Sequence, residues 1–275
     1  MSDSKIDSDG FQKVKTKRFS RNKPTKIPPR IQFENQDSYI ILFCYFFRRI
    51  EGAVDDLLQS TYLEGFLKSV SSVIKSRSVV EIVCLGLGHI SECNISKYQL
   101  ALLLCIKEQY NPQKVVTHDP IFYKGECEVL NKLGCTVLTE NSEGSYIISD
   151  EGVTIVYLPH CPKQLTNNFL WSNWGRNLEN CILICNSFCS LTDNQPDRIL
   201  LKTVPYIYRI APHTSECTLD NNFKFADIFN DTSVHYFPKE NLEKLEIDFW
   251  TKADKPTYEN TEEFITSLMI EKLNI

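Results

Sequence analysis

Four groups of polar residues in this sequence follow apolar runs directly, at positions where they could bind a ligand or take part in a reaction. They are Gly86-Leu87-Gly88, Asp119-Pro120, His160-Cys161-Pro162 and Asn186-Ser187-Phe188. Glycines allow a tight turn and a close approach of the backbone to a ligand, and the other groups supply a carboxylate, an imidazole, a thiol, an amide and a hydroxyl. Together these residue types indicate a pocket.

The two glycines, Gly86 and Gly88, stand between a buried-strand pattern and a helical pattern. The N-terminus of such a helix offers free N–H groups to an anion. The dinucleotide-binding fingerprint requires a third glycine, and this chain has Glu92 near that position, so a tight turn that binds no ligand is the alternative. Asp119 could accept hydrogen bonds from a ribose diol or could cap a turn before the following proline.

His160 and Cys161 are adjacent, and adjacent side chains on an extended chain point to opposite faces. A direct nucleophile–base pair is therefore not expected. Three roles for His160 stay open, namely a general base, a ligand for a metal or haem iron, and a hydrogen-bonded structural residue. The candidate ligand-binding residues are Gly86, Gly88, Asp119, His160, Cys161, Asn186 and Ser187, with catalytic roles unassigned.

Eleven cysteines stand in the chain. The N-terminus is polar and charged, so we expect no signal peptide and reduced thiols in the cytoplasm or nucleus. Cys181, Cys185 and Cys189 are spaced by four residues, but four residues of a strand span about 13 Å. Because Zn–S bonds are about 2.3 Å long, no metal site is predicted there.

The elements that must position these groups alternate along the chain. Apolar runs predict strands at 79–85, 114–119, 135–138, 153–158, 181–185 and 233–237. Helical patterns cover 50–75, with a break near Ser60-Thr61, and 95–109, 127–133 and 163–174. This alternation predicts an α/β, Rossmann-like fold, a mainly parallel sheet with helices on both faces. In such a sheet ligands bind outside the carboxyl ends of the strands. Residues 190–220 are predicted to be irregular.

Four regions follow from composition and pattern. They are a disordered basic tail (1–36), an N-terminal apolar segment with helices (37–76), a Rossmann-like domain (77–240) and a mixed C-terminal tail (241–275) with a weak helix near 262–273. The run Lys13–Arg18 is either a nuclear-import signal or part of a solvated tail. The apolar run 39–47 is about half the ~20 residues of a transmembrane helix, so we expect a buried segment, with an interfacial anchor as the alternative.

The net charge is −5, and the charge outside the basic tail is more acidic still. We therefore expect no nucleic-acid binding by the folded domain.

An ordered set of motifs between about Ile50 and Phe188 resembles the family named for "sensitivity to red light reduced". The set is Gly86-Leu87-Gly88, Tyr98-Gln99-Leu100-Ala101, Asp119-Pro120, Glu126, Leu133-Gly134, Asn141, Glu143-Gly144, Pro159-His160-Cys161-Pro162, Asn173-Trp174 and Asn186-Ser187-Phe188. The chain departs from the family pattern at His89, where a small or amide residue is usual, and at Cys185, where many relatives have glycine.

The resemblance implies a regulatory role without a known mechanism. Plant members are regarded as components of a circadian-clock input pathway, animal members are linked to clock-gene expression and haem biosynthesis, and fungal members to microtubule-related phenotypes. The ligand, any cofactor and the protein partners are unidentified. The alternative is a nucleotide- or S-adenosylmethionine-binding enzyme that uses the pocket at Gly86 and Gly88.

Overall fold

The computed structural model describes residues 36–258, with the backbone alone for 36–43. The predicted basic tail, except for its last residue, and the predicted helix near 262–273 lie outside the described residues. The basic run Lys13–Arg18 lies outside them too.

The described chain alternates helices and strands. The helices are α1 (Gln36–Leu58), α2 (Thr61–Ile74), α3 (Asn94–Tyr110), α4 (Lys124–Lys132), α5 (Lys163–Ser172), α6 (Phe188–Asn194), α7 (Asp197–Thr203), α8 (Pro205–Ile210) and α9 (Lys239–Leu242). The strands are β1 (Val79–Leu85), β2 (Lys114–His118), β3 (Thr136–Val137), β4 (Val153–Tyr157), β5 (Cys181–Asn186), β6 (Ser215–Thr218) and β7 (Thr232–Tyr236). Short 3-10 turns occupy Arg176–Asn180, Ala211–His213 and Ile247–Trp250.

All the strands form one sheet in the order β3-β2-β1-β4-β5-β7-β6. The pairs β1–β2, β1–β4, β2–β3 and β4–β5 are parallel, whereas β7 is antiparallel to β5 and to β6. The strand order reverses between β1 and β4, which is where Rossmann-like sheets bind ligands. The predicted fold class is confirmed.

The alternation of side chains along β1 divides the core between the two faces of the sheet. Ile82 and Cys84 belong to an apolar cluster that includes residues of α1, α2, α3 and α4. Val83 and Leu85 belong to a second cluster, which includes residues of α5, α7 and α8. Helices therefore cover both faces, and the fully buried strand centres read as continuous apolar runs.

The apolar run 39–47 lies inside α1, where the side chain of Phe46 is buried. The predicted break between the first two helices is present, since Ser60 caps α2 and its Oγ accepts a hydrogen bond from Leu63 N at 3.2 Å. Of the helices in the described part of the chain, none is both long and apolar enough to cross a membrane.

The prediction for 190–220 is wrong. This stretch contains α7, α8, β6 and most of α6. The helices have 7, 7 and 6 residues, which is too short to show a clear helical period. The edge strand β6 is only partly buried, so it lacks the apolar run that marks the central strands.

Candidate functional site

The turn after β1 is fixed by close packing against the loop that follows β4. Gly86 has φ +79°, and a Cβ built there would lie 2.4 Å from Cys161 Sγ. The thiol of Cys161 donates to the carbonyl of Leu85 at 3.1 Å, and Gly86 N donates to His118 O at 2.9 Å. Glycine is needed at position 86 because a side chain would collide with Cys161. The turn after β1 and the loop after β4 therefore pack directly against each other at this residue.

Gly88 and Asp119 come together as predicted for neighbouring strand ends, but they bond to each other. Gly88 N donates to Asp119 Oδ2 at 2.7 Å, and Ile121 N donates to Asp119 Oδ1 at 3.0 Å. Both carboxylate oxygens are therefore occupied by backbone N–H groups. In this arrangement Asp119 closes the turn that begins at Gly86.

Glu126 holds the rest of this turn. Its Oε1 accepts hydrogen bonds from Ser91 N and Ser91 Oγ, each at 2.7 Å, and its Oε2 accepts from Tyr123 N at 2.9 Å and lies 3.3 Å from His89 Nδ1. The side chain is 3% exposed. We call residues 86–91 the glycine loop, and Asp119 and Glu126 tie it to the residues after β2.

The residue between the two glycines is part of the apolar core. Leu87, between the two glycines, is 2% exposed and belongs to the same cluster as Tyr62 and Phe229. The rings of Tyr62 and Phe229 stack with their centroids 4.5 Å apart. Phe229 belongs to the connection between β6 and β7, so this connection and the glycine loop contribute to the same apolar cluster.

The polar residues after β4 bond in different directions. His160 has φ +50°, and its Nε2 lies 3.0 Å from Asn230 O, a carbonyl to which it donates. Cys161 is buried, and burial raises the pKa of its thiol well above the usual range. The two side chains therefore form no nucleophile–base pair, in agreement with the expectation from their adjacency.

Asn186 and Ser187 form the turn between β5 and α6. Asn186 Nδ2 donates to Cys161 O at 3.3 Å, while its buried Oδ1 has no partner among the described residues. Ser187 N donates to Asp231 O at 2.9 Å, and Ser187 Oγ accepts from Ser190 N at 2.9 Å as the cap of α6. The turn is thereby joined to the loops before α5 and before β7.

Glu216 and His235 support this turn from the edge of the sheet. His235 is fully buried on β7, with Nε2 3.4 Å from Glu216 Oε2 and 3.3 Å from Phe188 N. Glu216 Oε2 also accepts from Cys189 N at 3.0 Å. Burial raises the pKa of the Glu216 carboxyl, but hydrogen bonding by His235 and Ser187, the charge of His235 and the Cys189 N–H outweigh it and lower the pKa to about 2.

A cleft of about 770 Å³ opens beside this turn, between the first turn of α5 and the segment that contains α6. We call it the β5 cleft. Of the predicted residues, four line it, namely His160, Cys161, Asn186 and Ser187. Gly86, Gly88 and Asp119 do not line it and belong to the glycine loop and its ties. The seven candidates thus fall into two neighbouring groups at one edge of the sheet.

The described residues hold no group of three or more His, Cys, Asp and Glu side chains that could bind a metal ion. Cys181 and Cys185 are buried on β5, whereas Cys189 is exposed.

Comparison of the sequence with known protein families identifies one match. The SRR1 domain profile matches residues 64–236, which is more than half of the chain.

This chain belongs to the SRR1 family. It is 32% identical over 225 residues to an SRR1-like protein of Drosophila melanogaster, with 79% of this chain and 78% of that protein covered. It is 37% identical over 161 residues to an SRR1-like protein of Mus musculus, with 57% and 64% covered. It is 24% identical over 204 residues to the Arabidopsis thaliana protein SENSITIVITY TO RED LIGHT REDUCED 1, with 69% and 74% covered.

Among solved structures, the chain is similar to the plantazolicin methyltransferase BpumL in complex with a desmethylPZN analog and SAH. The sequence identity is 13% and the TM-score is 0.29, with 74% of this chain and 98% of that chain covered.

Sequence reasoning did not select Glu216 and His235, which support the turn beside the cleft. Both lie in or near the stretch where short elements hide the sheet edge. His235 carried one signal, because it lies inside a predicted strand, and a polar side chain on a buried strand needs a partner. Glu216 carried none, since its strand was not recognised.

Proposed function

We propose that this chain is a regulatory protein of the SRR1 type that acts in the input to a circadian clock, in the cytoplasm and nucleus. The resemblance also implies regulation of haem biosynthesis as a second process. The regulatory act is reversible binding of a small-molecule ligand or a protein partner at the β5 cleft. The observation that carries this proposal is that the cleft collects polar side chains from the ends of β4 and β5, whereas the glycine loop has used its polar groups internally.

The chemistry of the cleft supports binding more than covalent catalysis. The Cys161 thiol is protonated at neutral pH because burial raises its pKa, and a protonated thiol is a poor nucleophile. The Ser187 hydroxyl caps α6, and the nearby Glu216 carboxyl, with its pKa lowered to about 2, is a weak base. None of these groups is activated for attack on a substrate.

An enzyme that binds a nucleotide or S-adenosylmethionine at Gly86 and Gly88 is the alternative that the sequence suggests. The contacts of the glycine loop argue against it, because Asp119 already accepts the Gly88 N–H and the Leu87 side chain is buried in the apolar core. The cofactor-binding experiment described below distinguishes this alternative from the proposed function.

The regulatory role is tested by disrupting the gene in its source organism and recording a clock-gene reporter over several days. We expect a changed period or a reduced amplitude, restored by the wild-type chain. Asn186→Ala removes a cleft side chain and should restore the rhythm poorly, whereas Asn222→Ala, at an exposed position outside the cleft, should restore it fully. An unchanged rhythm after disruption would contradict the clock role.

Cofactor binding is tested by thermal unfolding of the full chain with S-adenosylmethionine, NAD and ATP. A ligand at 100 times its dissociation constant stabilises the folded state by about 2.7 kcal/mol. We expect no shift with S-adenosylmethionine, and a shift that Gly88→Ala abolishes would favour the enzyme alternative. Fluorescence polarisation with labelled DNA and RNA should show no binding by the folded domain.

A further inference from the structure

We propose that the β5 cleft binds a small molecule that carries both a phosphate group and hydroxyl groups, with Lys163 as the cation that meets the phosphate. This inference rests on the proposed function, since it names the ligand class of the same cleft.

Lys163 is a cation in the cleft without an anionic partner. Its Nζ donates to the neutral side chain of Gln195 at 2.6 Å, and no carboxylate of the described residues lies within 4.0 Å of it. Burial lowers the pKa of the ammonium, since part of its water is lost without a compensating charge. An anion bound in the cleft would supply that charge.

The surroundings of Lys163 add to its positive potential. Lys163 is the first residue of α5, a helix of 10 residues, and the start of a helix carries partial positive charge. His160 lines the same cleft. Because its Nε2 donates to Asn230 O, the Nδ1 of the neutral ring is an acceptor, which suits a hydroxyl group of the ligand. The Lys163 cation and the start of α5 thus both favour an anion in the cleft.

Acceptors stand elsewhere on the cleft wall. The buried Asn186 Oδ1 lacks a partner among the described residues, and its assignment is fixed because Nδ2 donates to Cys161 O. The exposed Asp231 also lines the cleft. An amide oxygen and a carboxylate accept hydrogen bonds, so they favour hydroxyl groups and disfavour a second anionic group. The ligand is therefore anionic at one end and hydroxylated at the other.

The size of the cleft fits this class of ligand. Its volume of about 770 Å³ lies within the range of about 300–1,000 Å³ that is usual for small-molecule sites. A phosphorylated sugar is smaller than the cleft, and a nucleoside monophosphate fills more of it.

The experiment is isothermal titration of the full chain with ribose 5-phosphate, ribose, inorganic phosphate and AMP. We expect ribose 5-phosphate and AMP to bind at least tenfold more tightly than ribose. Inorganic phosphate alone should bind weakly. Lys163→Met should reduce the affinity for ribose 5-phosphate by at least tenfold, because a charge-assisted hydrogen bond is lost. Asn186→Ala should reduce the affinity for ribose 5-phosphate more than the affinity for inorganic phosphate.

Lys202→Met is the matched control, since Lys202 is exposed on α7 and does not line the cleft. It should bind ribose 5-phosphate as the wild type does. The inference is overturned if wild-type protein with a cooperative unfolding transition binds no phosphorylated probe, or if Lys163→Met binds as tightly as Lys202→Met. Failure of the proposed function looks different, because Lys163→Met would then lose the ligand but still restore the reporter rhythm.

Discussion

The glycine loop and the β5 cleft lie at the same edge of the sheet and are built from the same kinds of residue, yet their polar groups have different partners. In the glycine loop, the carboxylates of Asp119 and Glu126 accept backbone N–H groups of the protein itself. In the β5 cleft, Lys163 has only a neutral amide partner and Asn186 Oδ1 has none among the described residues. The polar groups at the glycine loop are hydrogen-bonded within the protein, whereas Lys163 and Asn186 in the β5 cleft have groups that a ligand could bind.

This difference separates stability from binding. A buried carboxylate that holds several N–H groups is costly to remove, because those donors are then left unsatisfied. A side chain with few protein partners is cheap to change but is available to a ligand. Substitutions in the glycine loop should therefore reduce folding stability strongly, and substitutions in the cleft should spare stability and alter binding.

The largest effect is expected for Gly86→Ala. The new Cβ would lie 2.4 Å from Cys161 Sγ at a φ of +79°, so both a clash and backbone strain arise. We expect a loss of about 3 kcal/mol in the free energy of unfolding, measured by urea denaturation. Gly65→Ala is the control, because apart from the neighbouring residues and backbone of α2 itself no atom lies within 4 Å of a Cβ built there, and it should gain about 0.5–1 kcal/mol in the free energy of unfolding.

The cause of that loss can be isolated with a double mutant. Cys161→Ala removes the sulfur that the new methyl group meets, so Gly86→Ala should cost less in the Cys161→Ala background than in the wild type. Equal costs in the two backgrounds would show that the contact with Cys161 is not what requires glycine.

Glu126→Gln is expected to have the next largest effect. The amide keeps one acceptor oxygen where the carboxylate has two, so one of the N–H groups of Ser91 and Tyr123 loses its partner. We expect a loss of about 2 kcal/mol in the free energy of unfolding, again by urea denaturation. Glu92→Gln, at an exposed position near the same loop, should leave stability within about 0.5 kcal/mol of the wild type.

Glu216, which supports the turn beside the cleft, should make the free energy of unfolding depend on pH. The pKa of Glu216 is about 2 in the folded chain and 4.5 without the fold. Because the folded pKa is the lower one, its contribution is present above about pH 5 and is lost as the pH falls through 4.5 toward 2. On this basis wild type should lose about 2 kcal/mol more than Glu216→Gln between pH 5 and pH 3. Parallel curves for the two proteins would contradict the assignment.

The smallest effect on stability is expected for Lys163→Met in the cleft. Its only hydrogen bond to a described residue goes to Gln195, so the free energy of unfolding should change by less than about 1 kcal/mol. A loss as large as that of Glu126→Gln would mean that Lys163 holds the fold together, and the contrast between the two regions would fail.

Much of the fold was readable from the sequence because the central strands are buried on both faces. The apolar runs of β1 and β5 predicted strands at positions that differ from the structure by at most one residue. The break near Ser60 was readable because the helical pattern of apolar residues is interrupted there. The edge of the sheet was not readable, because β6 is short and partly exposed and α6 to α8 have at most 7 residues.

The sequence predicted which residues lie near the site, but it did not predict that they divide between the glycine loop and the β5 cleft. Parallel strands bring their carboxyl ends to one edge, so the sequence could predict that Gly88 and Asp119 would meet. It could not show that the carboxylate oxygens of Asp119 accept hydrogen bonds from Gly88 N and Ile121 N, because these bonds depend on loop conformations that are set by tertiary contacts. Leu87 and Phe229 belong to one apolar cluster although they are more than a hundred positions apart, and no local sequence pattern predicts this.

The most direct test of where the ligand binds is amide hydrogen exchange of the full chain with and without ribose 5-phosphate, read by mass spectrometry of peptides. We predict slower exchange with the ligand in 160–166 and 186–195, and unchanged exchange in the glycine loop, 86–91. Protection of 86–91 and 119–126, with 160–166 and 186–195 unchanged, would contradict the account and place the ligand at the glycines.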